Sequence, residues 1–167
     1  MQNISHKIPS HWSYDFLNSL DYDSRPKWDK PDKHLYPRDL VHYCLEAGAT
    51  KEDPKGWAWH FLNDVEYEKQ GYDKNIDFGI EYEFWWISKI KPGCLMPVHQ
   101  DFTEDHNKIR YWIPLQDWML GHTFFSEDGK IIKYKKGDVH KFDETFFHSA
   151  GNHTKISKFA LQLVAGK

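Results

Sequence analysis

The chain has 167 residues, a formal net charge of −3 and two cysteines. This length suits a single domain that can bury roughly 70% of its unfolded surface in one core. The weak negative charge does not favour a nucleic-acid partner, because nucleic-acid binders carry basic surfaces. No run approaches the ~20 apolar residues of a membrane span, and the first residues lack a signal-peptide pattern. Cys44 and Cys94 stand far apart in unlike contexts. We therefore expect free thiols and a cytoplasmic location, without a membrane partner.

The first half of the sequence predicts helices and irregular structure that support one sheet. Apolar residues at helical spacing occur in residues 9–20, 37–48 and 53–70. In the last of these segments Trp57, Phe61 and Val65 share one side of the predicted helix. We treat residues 1–167 as a single domain, with 1–79 as the N-terminal support and 80–167 as the catalytic core.

The second half of the sequence predicts short strands separated by turns. Pro92-Gly93, Asp128-Gly129 and Lys136-Gly137 mark three of the breaks. Eight strands in under ninety residues favour a closed antiparallel structure, and the economical choice is a mainly β double-stranded β-helix, or cupin-like jelly roll. The predicted strands are 81–90, 96–99, 108–115, 122–125, 130–134, 138–142, 145–149 and 158–164.

The predicted strand 96–99 ends at His99, and Asp101 follows two residues later to make a His-x-Asp pair. With 11 histidines in the chain, random placement gives about one such pair, so the motif alone is weak. Residues i and i+2 of a strand face the same way, so both side chains can converge on one point. His148 is the best placed third ligand because it lies in an apolar strand with Phe146 and Ala150 on its own face. Two imidazoles and one carboxylate are typical of non-haem Fe(II) oxygenases, in which the open positions accept a chelating oxo-acid and dioxygen.

Two other strands alternate in a way that turns cations inward. In the last strand Phe159, Leu161 and Leu163 share the apolar face, which leaves Lys158 and Gln162 on the opposite face. In residues 108–115 the same pattern places Arg110 and Trp112 opposite the apolar face. Buried cations need anions, and a dicarboxylate such as 2-oxoglutarate supplies two charges. The opposite assignment of faces, with Lys158 at the surface and Arg110 at a rim, stays open at this point.

Four stretches of the second half resemble a known family, the aspartyl/asparaginyl β-hydroxylase branch of the Fe(II)/2-oxoglutarate-dependent oxygenases. They are Ser88 with Pro92-Gly93 leading to His99, the run RYWIPL from Arg110, the run GDVHKFDETFFH that ends at His148, and Lys158 ten residues beyond it. The resemblance spans residues 88 to 158 and finds no counterpart in residues 1–80.

The resemblance implies a double-stranded β-helix in which His99 and His148 bind iron. Asp101 supplies the metal carboxylate that some relatives lack, which argues against halogenation. Ser88, Arg110 and Lys158 fall where the family holds 2-oxoglutarate. Lys158 stands where arginine is commoner, and a lysine cannot make the planar two-bond fork of a guanidinium. Trp112 stands where close relatives often carry histidine. We expect structural roles for His122 and Asn152.

The expected activity is that of a dioxygenase that uses Fe(II), 2-oxoglutarate and O2. It would hydroxylate a small-molecule or peptide substrate based on an amino acid, and release succinate. Two other classes remain open. A cupin-like metal enzyme that does not use 2-oxoglutarate, such as an isomerase, would be favoured by an interior without Lys158 or Arg110. A non-catalytic β-sandwich binding module would require His99, Asp101 and His148 to be dispersed.

Overall fold

The computed structural model describes residues 2–22, 59–99, 108–125, 130–143 and 146–166, and for Trp59 and residues 95–99 the backbone alone. The helices in these ranges are short: a 3-10 turn (Ser5–Lys7), α1 (Tyr14–Ser19) and α2 (Asp64–Lys69). None of them has the length and apolar character needed to cross a bilayer. The strands are β1 (Trp59–Asn63), β2 (Phe84–Ile90), β3 (Cys94–His99), β4 (Lys108–Pro114), β5 (His122–Phe125), β6 (His140–Asp143), β7 (His148–Asn152) and β8 (Lys158–Gly166).

Two antiparallel sheets form the body of the described structure. The larger sheet has the strand order β1-β2-β8-β4-β6, and the smaller has the order β3-β7-β5. The predicted fold class is confirmed: the protein is mainly β, and its two facing sheets make a double-stranded β-helix. The helices pack on the outer face of the larger sheet.

Strand β8 lies between β2 and β4 and is buried on both faces. Phe159, Leu161 and Leu163 belong to the outer core, together with Trp12 and Leu17 of the N-terminal segment. Ala160 belongs instead to a second core between the sheets. The alternation predicted from the sequence is therefore confirmed for this strand. The core between the sheets contains Ile90, Trp112, Phe124, Tyr134, Phe142, Ala150 and Ala160.

The structure corrects the prediction of a helix over residues 53–70. Strand β1 occupies its middle and pairs with β2 from Trp59 opposite Ile90 to Asn63 opposite Trp86. The helix begins only after Asn63, whose side chain accepts a hydrogen bond from the Glu66 amide. Val65, which was predicted to face the core, is exposed. Aromatic and aliphatic residues suit strands as well as helices, so spacing alone misled the prediction.

Two further predictions change in detail. Residues 130–134 make a single bridge, Ile131 to Phe125, instead of a strand. The backbone carbonyl of Tyr134 accepts from the Trp118 amide, so this segment does not continue a ladder. The first helix is shorter than residues 9–20, because Ser13 caps it at its start. The helix predicted over 37–48 lies outside the described residues.

The turn at Gly137 anchors the N-terminal segment to the barrel. The Ile4 amide donates to the Gly137 carbonyl at 2.8 Å, and Asn3 bridges Asp138. Gly137 has φ +83°, and a Cβ at this position would lie 2.5 Å from the Ser5 nitrogen. The close approach of two backbones requires glycine here.

We expect Gly137→Ala to lower the free energy of unfolding by about 1–3 kcal/mol more than Gly71→Ala does. Gly71 is the matched control, because its φ is +90° but a Cβ there meets nothing within 4 Å. Both variants carry the cost of a positive φ, and only Gly137→Ala adds the clash. Urea denaturation followed by circular dichroism measures the difference. Equal losses for the two variants would contradict the close approach.

Candidate functional site

A small cavity that is partly open to solvent lies between the two sheets. The larger sheet contributes residues from β2, β4 and β8, and the smaller sheet contributes residues from β5 and β7. The lining combines a few polar side chains with apolar and aromatic ones, as a binding pocket with a few orienting groups would. Its lining residues are Ser88, Ile90, Trp112, Phe124, His148, Ala150, Lys158, Ala160 and Gln162.

His148 begins β7 and is buried, with 3% of its surface exposed. Its ring stacks between Phe124 and Phe146, at centroid distances of 5.6 and 5.9 Å. Nδ1 lies 3.2 Å from the Phe146 carbonyl oxygen. A carbonyl can only accept, so Nδ1 must donate and carry the proton. The imidazole is therefore oriented with Nε2 as its basic nitrogen, which is the tautomer of a metal ligand held by an outer hydrogen bond.

His99 lies opposite His148 in the ladder between β3 and β7 because of a register shift. Met96 pairs with Ala150, and an unbroken ladder would then place Val98 opposite His148. The shift between Met96 and His99 inserts one extra residue and places His99 at that position instead. Bulges of this kind re-aim residues next to active sites.

Asp101 lies outside the described residues, so its predicted place beside the two histidines stays a prediction. Within the described ranges no three side chains of the metal-binding types cluster closely enough to hold an ion. Of the three metal ligands predicted from the sequence, only His148 has a described side chain. The absence of a described cluster therefore says nothing about His99 or Asp101.

Lys158 opens β8 with only 2% of its surface exposed. Its Nζ donates to the Thr123 carbonyl at 2.6 Å and lies 5.7 and 5.9 Å from the ring centroids of Trp112 and Tyr134. In the part of the chain that the structure describes, no carboxylate oxygen lies within 4.0 Å of it. Burial lowers the pKa of this ammonium to about 7. The structure thus presents a desolvated cation at the cavity, and its contacts with the described residues are neutral.

Ser88 and Arg110 are also buried on the inner face of the larger sheet. The Ser88 hydroxyl lines the cavity and donates to the Ala160 carbonyl at 3.2 Å. Arg110 is 6% exposed, and its guanidinium lies 5.1 Å from the centre of the Trp86 ring. Trp112 also lines the cavity and stacks on Phe124, with a ring-centroid distance of 4.3 Å. The prediction that Arg110 and Lys158 both turn inward is confirmed, and the inverted assignment of faces is wrong.

Two polar residues near the cavity differ in their roles. Asn152 is fully buried, and its side chain bonds the carbonyls of Ile90 and Ile156 and accepts from Thr154. These bonds support the structural role predicted for Asn152. His122 is also buried, but it faces the inside on the same side of β5 as Phe124, and its Nδ1 lies 3.3 Å from the Tyr134 hydroxyl.

Sequence reasoning placed Trp112 on the inward face but did not identify Phe124 or Tyr134 near the cavity. Phe124 could have been found, because it alternates with Thr123 in a short strand that was correctly predicted. Tyr134 could not, since its segment forms no regular strand and its contact with Trp112 depends on tertiary packing.

A sequence model of the family described as aspartyl/asparaginyl beta-hydroxylase matches residues 74–164. The chain belongs to this family. The match covers Ser88, His99, Arg110, His148 and Lys158, so the resemblance stated for residues 88 to 158 is confirmed. This membership indicates an oxygenase-type enzyme on a cupin-type fold.

Solved structures show a similar fold at low sequence identity. A conserved protein with a double-stranded β-helix domain from Klebsiella pneumoniae is 14% identical, with 52% of this chain and 72% of that chain covered and a TM-score of 0.40. The cupin domain of Cnp3 from Schizosaccharomyces pombe is 13% identical, with coverages of 65% and 61% and a TM-score of 0.42. A non-heme monooxygenase, ThoJ, in a nickel complex is 15% identical, with coverages of 50% and 42% and a TM-score of 0.42. No curated protein matches the sequence significantly.

The buried ammonium predicts a stability cost that the variant Lys158→Met should relieve. The folded pKa lies below the usual 10.5, so between pH 7 and 10.5 the unfolded state binds more protons and wild-type stability rises with pH. We expect Lys158→Met to raise Tm by several degrees at pH 6–7, since about 1–2 kcal/mol corresponds to roughly 2–8 °C for a chain of this size. The gain should shrink as the pH approaches 10.

Differential scanning fluorimetry of the protein without added cosubstrate measures this gain. The matched control is Lys155→Met, because Lys155 is an exposed lysine three residues earlier in the chain, and its Tm should stay within about a degree of wild type. A loss of stability in Lys158→Met that is the same at pH 6 and pH 10 would contradict a buried cation cost.

Proposed function

We propose that the protein is a non-haem Fe(II)- and 2-oxoglutarate-dependent dioxygenase that hydroxylates an amino acid, either free or within a peptide. The observation that carries the proposal is the buried ammonium of Lys158 at a cavity that His148 also lines. A desolvated cation without a described counter-ion favours an anionic ligand. A dicarboxylate with one end at Lys158 and the other near His148 matches this arrangement.

In this proposal His99, Asp101 and His148 hold the iron. The donor set suits Fe(II), because two imidazoles and a carboxylate leave three coordination positions open. The Nδ1 bond of His148 to the Phe146 carbonyl supports its part, since it fixes the ring and leaves Nε2 as the basic nitrogen. The register shift that places His99 opposite His148 supports the second histidine. When bound, Fe(II) supplies the redox chemistry that couples oxidative decarboxylation of 2-oxoglutarate to succinate and CO2 with hydroxylation of a substrate carbon by O2.

The residues of the chain bind and position the cosubstrate. Lys158 pairs with the distal carboxylate, and the hydroxyl of Ser88 or the guanidinium of Arg110 assists. A charge-assisted hydrogen bond of this type contributes ~1.5–3 kcal/mol, which offsets part of the cost of the buried ammonium. Trp112 and Phe124 stack against each other beside the site, and their apolar surface excludes water from the charge pair, which strengthens it.

The substrate class follows from the family description, which names hydroxylases of aspartyl and asparaginyl residues. We propose an amino-acid substrate on that basis. A panel of free amino acids and short peptides, each incubated with the protein, Fe(II) and 2-oxoglutarate, identifies the substrate by the increase of succinate above the uncoupled level. Mass spectrometry should then find a product 16 Da heavier than the substrate, the mass of one oxygen atom.

The structure does not meet the condition that would have favoured a cupin-like isomerase. That condition was an interior without Lys158 or Arg110, and both side chains are buried on the inner face. The alternative of a non-catalytic module required dispersed histidines, whereas His99 and His148 are ladder partners.

Removal of a metal ligand tests the proposed function directly. We expect His148→Ala and His99→Ala to reduce CO2 release from 1-14C-labelled 2-oxoglutarate at least 100-fold, because metal ligands and their supports control both metal affinity and activity. The control is His153→Ala, since His153 is an exposed histidine five residues after His148. Its turnover should equal that of wild type.

Two outcomes would overturn the proposal. Equal CO2 release by wild type and His99→Ala would remove the metal assignment. Folded wild type can also be titrated anaerobically with Fe(II) and 2-oxoglutarate. If no visible charge-transfer band appears, 2-oxoglutarate is not the cosubstrate, and an isomerase or a binding module becomes the favoured interpretation.

A further inference from the structure

His122 lies beside Lys158 although the two residues are far apart in sequence. Three contacts join them: Lys158 Nζ donates to the carbonyl of Thr123, the residue after His122. The Tyr134 ring lies 5.9 Å from Lys158 Nζ. The Tyr134 hydroxyl lies 3.3 Å from His122 Nδ1. The imidazole and the ammonium therefore share one corner of the interior.

His122 keeps one ring nitrogen without a partner in this corner. Its side chain is 1% exposed, and Nε2 is buried with no hydrogen bond to any described residue. An unsatisfied buried polar atom costs free energy and calls for an explanation, such as a ligand that completes it. Packing alone does not explain an imidazole here, because an apolar ring of similar size would avoid that cost.

The contact with Tyr134 sets which nitrogen of His122 carries the proton. Burial raises the pKa of the Tyr134 phenol above its ordinary value, so the hydroxyl stays protonated. Among the described residues, the Tyr134 hydroxyl makes one hydrogen bond, to His122 Nδ1. If Nδ1 held the imidazole proton, the hydroxyl hydrogen would have no acceptor there. The hydroxyl therefore donates to Nδ1, and Nε2 carries hydrogen as a donor. Burial and the nearby ammonium also lower the pKa of His122 to about 4, which keeps the ring neutral.

We propose that His122 Nε2–H is a second donor to the distal carboxylate of the cosubstrate, beside the ammonium of Lys158. This inference rests on the proposed function. An arginine would offer a carboxylate two parallel N–H groups in a planar fork, and a lysine offers only a point charge. His122 and Lys158 together restore two donors, one to each carboxylate oxygen. Lys158 supplies the positive charge, and His122 supplies an N–H group of fixed direction. Tyr134 is then a positioning residue that holds the tautomer.

The first experiment compares two ligands that differ only at the distal end. 2-Oxoglutarate and 2-oxopentanoate are titrated into the Zn(II)-loaded full chain, and the Kd of 2-oxopentanoate divided by the Kd of 2-oxoglutarate reports what the distal carboxylate contributes. We expect His122→Phe to reduce this ratio about tenfold by weakening 2-oxoglutarate alone, as expected for the loss of one hydrogen bond to a charged group. His122→Gln, which keeps an N–H donor, should recover part of the ratio.

The matched control is His140→Phe. His140 is a half-buried histidine whose Nε2 is itself buried without a partner among the described residues, and its ring lies 5.2 Å from Trp112. It is not assigned to the cosubstrate, so its variant should keep the wild-type ratio. An equal fall in both variants would mean that loss of any interior imidazole disturbs the cavity, and it would overturn the inference.

The second experiment uses wild type, so it does not depend on the folding of a variant. In 15N-histidine-labelled Zn(II) protein, addition of 2-oxoglutarate should move the His122 Nε2–H proton resonance downfield, and 2-oxopentanoate should leave it in place. An unchanged resonance with bound 2-oxoglutarate would overturn the role of His122 while the proposed function stands. A wild-type protein that binds neither ligand, or binds both equally, would overturn the proposed function itself.

Discussion

Strand β8 is buried on both of its faces, and the rest of the structure depends on this constraint. Its odd-numbered residues complete the outer core against the N-terminal segment, while Lys158, Ala160 and Gln162 face the cavity. A register slip of one residue would exchange the two sets, expose the cavity face to the apolar core and place leucines beside His148. The register is held on both sides, by β2 and by β4, and the cation at the start of the strand is 2% exposed.

The buried cation links stability to the proposed chemistry. A desolvated ammonium whose contacts among the described residues are a carbonyl and two aromatic rings costs free energy in the unliganded protein. A ligand carboxylate would return much of that cost on binding. The same argument applies to His122, whose buried Nε2 has no partner among the described residues and would gain one from the proposed ligand carboxylate. The aromatic residues Trp112 and Phe124 provide dry surroundings in which such contacts are strong.

The sequence predicted the inward faces of β4 and β8 better than it predicted the segments around them, namely residues 53–70 and 130–134. Alternation in residues 108–115 and 158–164 correctly identified the inward side chains, because the period of a strand is a local property. The helix expected over 53–70 failed at Trp59–Asn63, where pairing with β2 overrides local spacing. The segment that contains Tyr134 was predicted to be a strand because its composition is β-like. Among the described residues its pairing with β5 ends at Ile132, and the Tyr134 carbonyl accepts from the loop residue Trp118. Asp101 remains a sequence-based assignment, since it lies outside the described residues.

The sequence by itself determined the fold class, the turns at Pro92-Gly93 and Lys136-Gly137, the inward faces of two strands and the family. Each of these follows from patterns within a few residues or from an ordered set of motifs. Only the tertiary structure decided which polar residues meet. His99 comes opposite His148 through one inserted residue in a ladder between strands about fifty residues apart, and His122 comes beside Lys158 through Tyr134 and the Thr123 carbonyl. Such contacts depend on strand register and on sheet packing, which the local periodicity of a sequence does not determine.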